Sequence, residues 1–473
     1  MTEVIRISTT LKNILHHALT QPERPAVGGL SYGQLGRQVC GLSAKITGKR
    51  VLVACAQGQD AYVAMLAALH AGATYAPINT DAPQERQRMI ASQFEPTDVI
   101  CSATNQKSWP GGHQVGAEGS IIPQVPCDNP AYVIFTSGST GVPKGVVIGR
   151  PAMDHFVAWG VTALNLSSGS RVSQHPNIAF DLSVMDIFCA LAAGAELFPL
   201  TGKLDRFYPA RAIERYALTH WISVPSVVDL MVRDPGFGPG KLDSLDMMIF
   251  CGEPLLSRHL EALFTTAPDL DVFNTYGPTE ATVCMTQQLL RRNTWRAFVA
   301  GTLALGNSIP GMDLHLVDGD TPNEGEIFIS GPQVADGYWR DPDRTAVAFC
   351  DNGYRTGDWA ERKDGILYFR SRIDRQVKLQ GYRVELGDVE VAIHKHTGTP
   401  VACVFVDDML IAVVEGASLD VSSLQSKLGR HLPIYMVPSL IVTMVALPRS
   451  LNDKIDYNAL IDRMKLGESN NDT

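Results

Sequence analysis

No stretch of the chain reaches 18 consecutive apolar residues, and the opening MTEVIRISTTLKNILHH lacks a basic segment, an uninterrupted apolar run and a small-residue cleavage site. A membrane-inserted helix and a secretory leader are therefore not expected, and the protein is expected to work in the cytoplasm. Cysteine is present but never closely spaced: nine stand at 40, 55, 101, 127, 189, 251, 284, 350 and 403, the nearest two fifteen residues apart. Zinc or redox C-x-x-C chemistry is excluded, and an odd, scattered set reads as reduced core thiols. Positive charge is in deficit, 40 Lys and Arg against 49 Asp and Glu for a formal charge of −9, which argues against a nucleic-acid groove. Repeats and low-complexity linkers are missing too. With 45% apolar and only 19% charged residues, long disorder and coiled coil are ruled out.

What is present is an alternation. Short β-branched runs, VLVACA (Val51 to Ala56), AYVIFT (Ala131 to Thr136), HWISV (His220 to Val224) and MMIF (Met247 to Phe250), exchange with helical stretches such as Tyr62 to Ala71. That pattern predicts α/β layers with mostly parallel sheets. From about Gly325 the texture changes to closely spaced strands, EIFIS, ILYFR and RQVKL, separated by DNG, KDG and QG turns, which predicts antiparallel hairpins and a boundary nearby. The last ~90 residues, with VACVFV, MLIAVVEG and amphipathic helices around Leu386 to His396 and Ser422 to His431, suffice for a small α+β domain.

The strongest chemical signal is YVIFTSGSTGVPKGVV, Tyr132 to Val147. A buried strand runs into Thr136, Ser137, Gly138, Ser139, Thr140 and Gly141, followed by Pro143, Lys144 and Gly145. Small hydroxyls and glycines let backbone N–H groups close around phosphate oxygens, and a lysine adds charge. The spacing is not that of a Walker A loop, because Pro143 stands five residues after Gly138. A different nucleotide-binding architecture is implied.

Together with LSYGQL (Leu30 to Leu35), HAGATYAPIN (His70 to Asn79), NTYGPTEATV (Asn274 to Val283), GEIFISGPQVADGYW (Gly325 to Trp339), YRTGDW (Tyr354 to Trp359), RIDRQVKLQGYRVEL (Arg372 to Leu386), LPIYMVP (Leu432 to Pro438) and NDKID (Asn452 to Asp456), this segment resembles the adenylate-forming superfamily of acyl-CoA synthetases, luciferases and amino-acid adenylation domains. The resemblance implies an α/β fold with a large multilayered N-terminal domain, 1–374, that binds ATP and the amino acid, and a small mobile C-terminal domain, 375–473, that carries a catalytic lysine. It also implies ATP and Mg²⁺.

Activating a carboxylate with ATP requires in-line positioning, charge neutralisation and an oriented nucleotide. The resemblance assigns Thr279 a hydroxyl near the α-phosphate, Glu280 the Mg²⁺ ligand, and Tyr276, within Asn274, Thr275, Tyr276 and Gly277, an adenine-stacking ring. Asp358 is to accept from the ribose hydroxyls and Arg372 to donate to the same sugar. Taken singly, TGD or PTE is turn and cap chemistry. Lys454, in LPRSLNDKID, corresponds to the lysine that bridges carboxylate and α-phosphate during adenylation, and Asp374 to the hinge about which the small domain turns, bringing the segment around Lys378 and Gly381 into use for thioester formation. Two departures stand out: Asp453 where the family usually has glycine, and Phe369 and Ser371 where tyrosine and glycine are common.

The segment NIAFDLSVMDIF (Asn177 to Phe188) discriminates among substrates. Members that take α-amino acids carry an aspartate here, Asp181, because a buried ammonium needs a paired carboxylate. The plain alternative is an N-cap in an AFDLS turn. Matching pocket positions are Leu182, Met185, Ser223, Ile249, Cys251, Thr275, Val283 and Cys284, apolar or weakly polar throughout. Such a lining rejects charged and amide side chains and suits a small aliphatic one. Here the chain looks most like the D-alanine:carrier-protein ligases and stand-alone amino-acid adenylation domains, with D-alanine first and glycine or L-alanine next. No carrier-type serine motif follows Asp456, so a separate phosphopantetheinylated carrier protein, less readily coenzyme A, is expected to supply the thiol to a monomeric enzyme. The competing readings are an acyl- or aryl-CoA ligase, a catalytically silent ATP-binding homologue and, more distantly, a luciferase-like oxygenase.

Overall fold

The computed structural model describes residues 8–122, 129–138, 142–379, 381–416, 419–449 and 455–465. They divide into two compact units, a large one of 1–79, 94–135 and 145–373, and a small one of 80–93, 136–144 and 374–473.

In the large unit a nine-stranded sheet runs Asn307–Ser308, Thr286–Leu290, Asp271–Tyr276, Met247–Phe250, His220–Ser223, Arg171–Gln174, Glu196–Pro199, Pro25–Val27, Leu30–Ser31. Its central strands are parallel, and Thr286–Leu290 turns back antiparallel on Asp271–Tyr276. A six-stranded sheet runs Gly337–Tyr338, Lys144–Ile148, Tyr132–Thr136, Thr74–Pro77, Arg50–Ala54, Asp98–Cys101. The helix Leu182–Ala192, LSVMDIFCALA, is apolar on nearly every side, and all eleven of its residues are buried. A helix of that kind belongs between layers. It packs on the strands Arg171–Gln174, Glu196–Pro199 and His220–Ser223 and against the helices Thr9–Thr20 and Arg150–Ala163. Local chemistry explains several landmarks. Ser31 and Gln34 of LSYGQL form a reciprocal capping box that starts Tyr32–Ser43. Gly72 of HAGATYAP, at φ +74°, takes the left-handed turn that leads from Gln59–His70 into Thr74–Pro77.

The antiparallel texture is as expected, but it begins at Asp313 rather than Gly325. Asp313–Val317, Glu324–Ser330, Gly353–Lys363 and Phe349–Cys350 form one sheet, to which Ile366–Arg372 adds on Gly353–Lys363. This sheet lies wholly within the large unit.

The small unit holds the hairpin Gln376–Leu379/Tyr382–Glu385 and a sheet of Val401–Val406, Met409–Glu415 and Leu440–Met444, with the helices Leu386–Thr397, Val421–Leu428 and Tyr457–Lys465. Strand alternation splits its core in two: Val401, Cys403, Leu410, Ala412 and Val414 face one cluster, Ala402, Val404, Val406, Ile411 and Val413 the other. All described cysteines are free, and all but Cys350 are buried. Among the described residues no helix is long and apolar enough to cross a membrane.

Candidate active site

In the large unit, Asp358 lies in the strand Gly353–Lys363 and faces Arg372 directly across the sheet. The register pairs them: an Arg372 guanidinium N–H donates to Asp358 Oδ1 at 2.5 Å, while the Tyr276 hydroxyl donates to Oδ2 at 2.6 Å. Thr356 completes the node, its hydroxyl accepting from the Asp358 N–H and its carbonyl accepting from Arg372. Burial, then the Asp358 carboxylate, hold the Tyr276 phenol well above its usual range, so it stays a donor. Each carboxylate oxygen retains a second lone pair, so Asp358 can accept from a diol while held by the protein. The Arg372 guanidinium donates to Asp358 itself, and Tyr276 is anchored by its hydroxyl. Phe369 pairs with Ala360, and its carbonyl accepts from Thr302.

Glu280 sits in the short turn Thr279–Ala281 with no exposed surface. The Tyr338 hydroxyl donates to its Oε1 at 2.9 Å, and the Ala335 N–H donates to its carbonyl. A Cβ at Gly277 would lie 2.4 Å from the Cys284 Cα, so only glycine lets NTYG pass this close to the returning chain. Asn274 is tied to the Ala304 carbonyl.

Asp181 stands at the start of Leu182–Ala192 with 6% exposure, yet its carboxylate makes no capping bond to that helix. Asp181 thus occupies the N-cap position without using its side chain as a cap. On the strand Met247–Phe250 and just beyond, Ile249 and Cys251 point to one face, shared with Thr275 of the neighbouring strand. Thr275 donates to the Phe250 carbonyl, and the Cys251 thiol to the Val283 carbonyl at 3.6 Å. Burial pushes the Cys284 thiol well up; it is hydrogen-bonded with Thr275 and has Cys251, Cys189 and Asp181 around it. Thr282 and Val283 both adopt positive φ, +53° and +74°, which β-branched residues rarely do. The Thr282 hydroxyl holds this kink by donating to the Gln333 carbonyl. Leu182 and Met185 are buried nearby on the helix. The Ser223 hydroxyl accepts from Trp221 and donates to the Val224 carbonyl.

The small unit holds the loop residues. Ser137 Oγ donates to the Arg383 carbonyl at 2.6 Å and accepts from the Glu385 N–H, and the Gly138 N–H donates to Asp388 Oδ2 at 3.2 Å. Thr136 Oγ1 is buried with no partner among the described residues. Lys144 is buried, and its charge, with that of Arg383, opposes the burial that raises the Glu385 carboxyl. Lys378 pairs with Arg383 in the hairpin, and Asp374 accepts from the Gln376 N–H. Ser139, Thr140, Gly141 and Lys454 lie outside the described residues.

The pattern of the AMP-binding enzyme family matches residues 14–339. A D-alanine--D-alanyl carrier protein ligase of Listeria monocytogenes is 34% identical over 440 residues, covering 84% of this chain and 86% of its own.

The chain belongs to the AMP-binding enzyme family.

An L-proline--[L-prolyl-carrier protein] ligase of Streptomyces coelicolor is 32% identical, covering 92% of this chain and 93% of its own. Among solved structures, the Vibrio cholerae adenylation domain AlmE in complex with glycyl-adenosine-5'-phosphate superposes with a TM-score of 0.86 at 25% identity, covering 98% and 99% of the two chains. As an AMP-binding enzyme with such relatives, the protein is an ATP-dependent, AMP-forming ligase. Sequence reasoning about this member of the AMP-binding family passed over Tyr338 and Asp388. Tyr338 stood inside a quoted motif, but a tyrosine after DG carries no local sign that it reaches Glu280. Asp388, in the first turn of Leu386–Thr397, reads locally as a helix-dipole acid.

Proposed function

We propose that the protein is a stand-alone amino-acid:carrier-protein ligase. It joins a small amino acid, D-alanine first and glycine or L-alanine next, to AMP with release of pyrophosphate. It then passes the aminoacyl group to the phosphopantetheine thiol of a separate carrier protein, releasing AMP. The observation that carries this reading is Asp181, a carboxylate 6% exposed that makes no capping bond to its helix and lies beside the Cys284 thiol. A buried ammonium needs such a partner, and a fatty or aryl acid does not. The relatives named as D-alanyl and prolyl carrier-protein ligases, and the glycyl adenylate in AlmE, support the same class.

In this reading Asp358, held by Tyr276 and Arg372, orients the ribose. Ser137, Gly138 and Lys144 handle phosphate charge, and Thr279 lies near the α-phosphate. Lys454 stabilises the charge that develops during adenylation, and Lys378 serves the thioester step after a turn about Asp374 between domains 1–374 and 375–473. Among the described residues no three His, Cys, Asp or Glu are arranged to hold a metal, so Mg²⁺ would take the single carboxylate of Glu280, steadied by Tyr338, and phosphate oxygens and water, where it would neutralise phosphate charge. The enzyme is read as a cytoplasmic monomer.

The test is pyrophosphate release with MgATP and D-alanine, L-alanine, glycine, serine, proline or a short fatty acid, with Lys454→Ala as control. Selective release with D-alanine or glycine is expected. Release with the fatty acid alone would replace this reading by an acyl-CoA ligase, and silence throughout by an ATP-binding homologue without catalysis.

A further inference from the structure

Arg375 follows Asp374 directly, and its guanidinium joins three elements of the small unit. It forms a two-pronged pair with Glu390 of Leu386–Thr397, at 2.6 Å and 3.2 Å, and donates to the Cys403 carbonyl of Val401–Val406 at 2.7 Å. It also lies 3.4 Å from the ring centroid of Tyr457, the first residue of Tyr457–Lys465. A bidentate fork that also stacks on an aromatic face requires arginine; lysine supplies the charge without the plane.

A structural staple alone does not account for this arrangement. The Cys403 N–H already donates to Glu390 Oε1 at 2.7 Å, so helix and sheet are joined without Arg375. What Arg375 adds is a tie from the backbone just after Asp374 to Tyr457. The chain ahead of Tyr457 is also fixed: Ile455 bridges to Arg449, and the Asp456 N–H donates to the Pro448 carbonyl at 2.8 Å. On the Arg449 side, Glu415 accepts from the Leu447 N–H. Arg449 and Ile455 are thus a clamped stem, and Lys454 immediately precedes Ile455 in the sequence.

We propose that Arg375 is a positioning residue for adenylation, setting through Tyr457 the base from which Lys454 acts. This rests on the role given to Lys454 above. The guanidinium touches no reactant. It keeps the start of Tyr457–Lys465 in one orientation relative to the segment after Asp374, so a turn there carries the stem along as a rigid piece.

The test uses the full chain and two half-reactions: amino-acid-dependent pyrophosphate exchange, and transfer from enzyme-bound, preformed aminoacyl-AMP to pantetheine. Arg375→Ala and Tyr457→Leu are expected to lower kcat of exchange about 10-fold or more while the KM values for ATP and amino acid, and the transfer rate, stay within about twofold. Arg375→Lys is expected to recover little, and Arg375→Ala combined with Lys454→Ala to be no slower in exchange than Lys454→Ala alone. An equal fall in both half-reactions would reduce Arg375 to general support of the small unit and overturn the proposal. So would wild-type exchange in Arg375→Ala beside a slow Lys454→Ala, or multiplied losses in the double variant. Wild-type exchange in Lys454→Ala itself is a different failure, removing the Lys454 reading and the proposal with it.

Discussion

The carboxylates of the large unit and the loop donors of the small unit are satisfied in opposite ways. Asp358 and Glu280 are steadied by donors, Tyr276 with Arg372 and Tyr338, that leave each carboxylate able to accept again. Ser137 and Gly138 instead spend their donors on acceptors of the same unit, the Arg383 carbonyl and the Asp388 carboxylate. A group that receives its ligand in a fixed frame is pre-oriented by residues that need not move. A phosphate-type donor kept from water has its bond made internally and exchanges it when an anion arrives, because an unpaired buried N–H is costly. In the proposed reading, the Asp388 carboxylate accepts from a donor that would otherwise serve a phosphate oxygen.

Single substitutions test how differently the two sets of groups are held. The largest effect belongs to Asp181→Ala: pyrophosphate release with the preferred amino acid should fall about 10²- to 10³-fold, the scale of removing one partner of a buried charge pair. A loss under tenfold would mean that this carboxylate is not kept for an ammonium. Next, Asp358→Ala should raise the KM for ATP about 30-fold, and Tyr276→Phe, which leaves the carboxylate but removes one of its donors, about 5-fold, with kcat little changed in steady-state assays. An equal effect of the two would show that Tyr276 does more than orient Asp358.

Asp388→Ala works in the other direction. With the internal acceptor gone, calorimetry should show ATP binding about 5-fold tighter, the worth of one hydrogen bond no longer displaced. Unchanged or weaker binding would show that the Gly138 N–H is not in competition, and the contrast between the units would fail.

The smallest effect concerns Asp186, five residues beyond Asp181 on the same helix, wholly buried, with Oδ1 lacking a partner among the described residues. Burial holds its carboxyl well above the usual range. A group raised in this way contributes stability that is complete below the ordinary carboxylate range and is lost as pH rises through the raised value. Asp186→Asn, which cannot ionise, should therefore lose less Tm than the parent between pH 5 and pH 8, by about 2 °C in thermal melts. A parallel pH dependence in both proteins would show that Asp186 does not titrate in this way, and that burial alone does not distinguish it from Asp181.

Much of this was legible in the chain. The alternation of apolar runs placed the strands Tyr132–Thr136, His220–Ser223 and Met247–Phe250 and the helix Leu386–Thr397 to within a residue or two. The run VLVACA extends beyond its strand, since pairing ends at Ala54, and the helical pattern Ser422 to His431 outruns the helix Val421–Leu428. Both differences lie at ends, where hydrogen bonding to neighbours and not pattern decides. Ser223 matched the family pocket by position, but Trp221 and the Val224 carbonyl engage its hydroxyl. No spacing rule reports which partner a serine side chain finds after folding.

Local order determined the family, the sequence of motifs, the α/β class and the candidates Asp181, Asp358 and Lys144, because strand period, turn chemistry and motif spacing are properties of neighbouring residues. The tertiary structure alone decided that Tyr338 steadies Glu280, that Arg372 faces Asp358, that Asp388 meets a glycine 250 residues away, and that Arg375 stacks on Tyr457. Those pairings come from sheet register and packing between distant segments. Burial makes the first three of them necessary, since a polar group taken from water must find its partner wherever the fold has brought one.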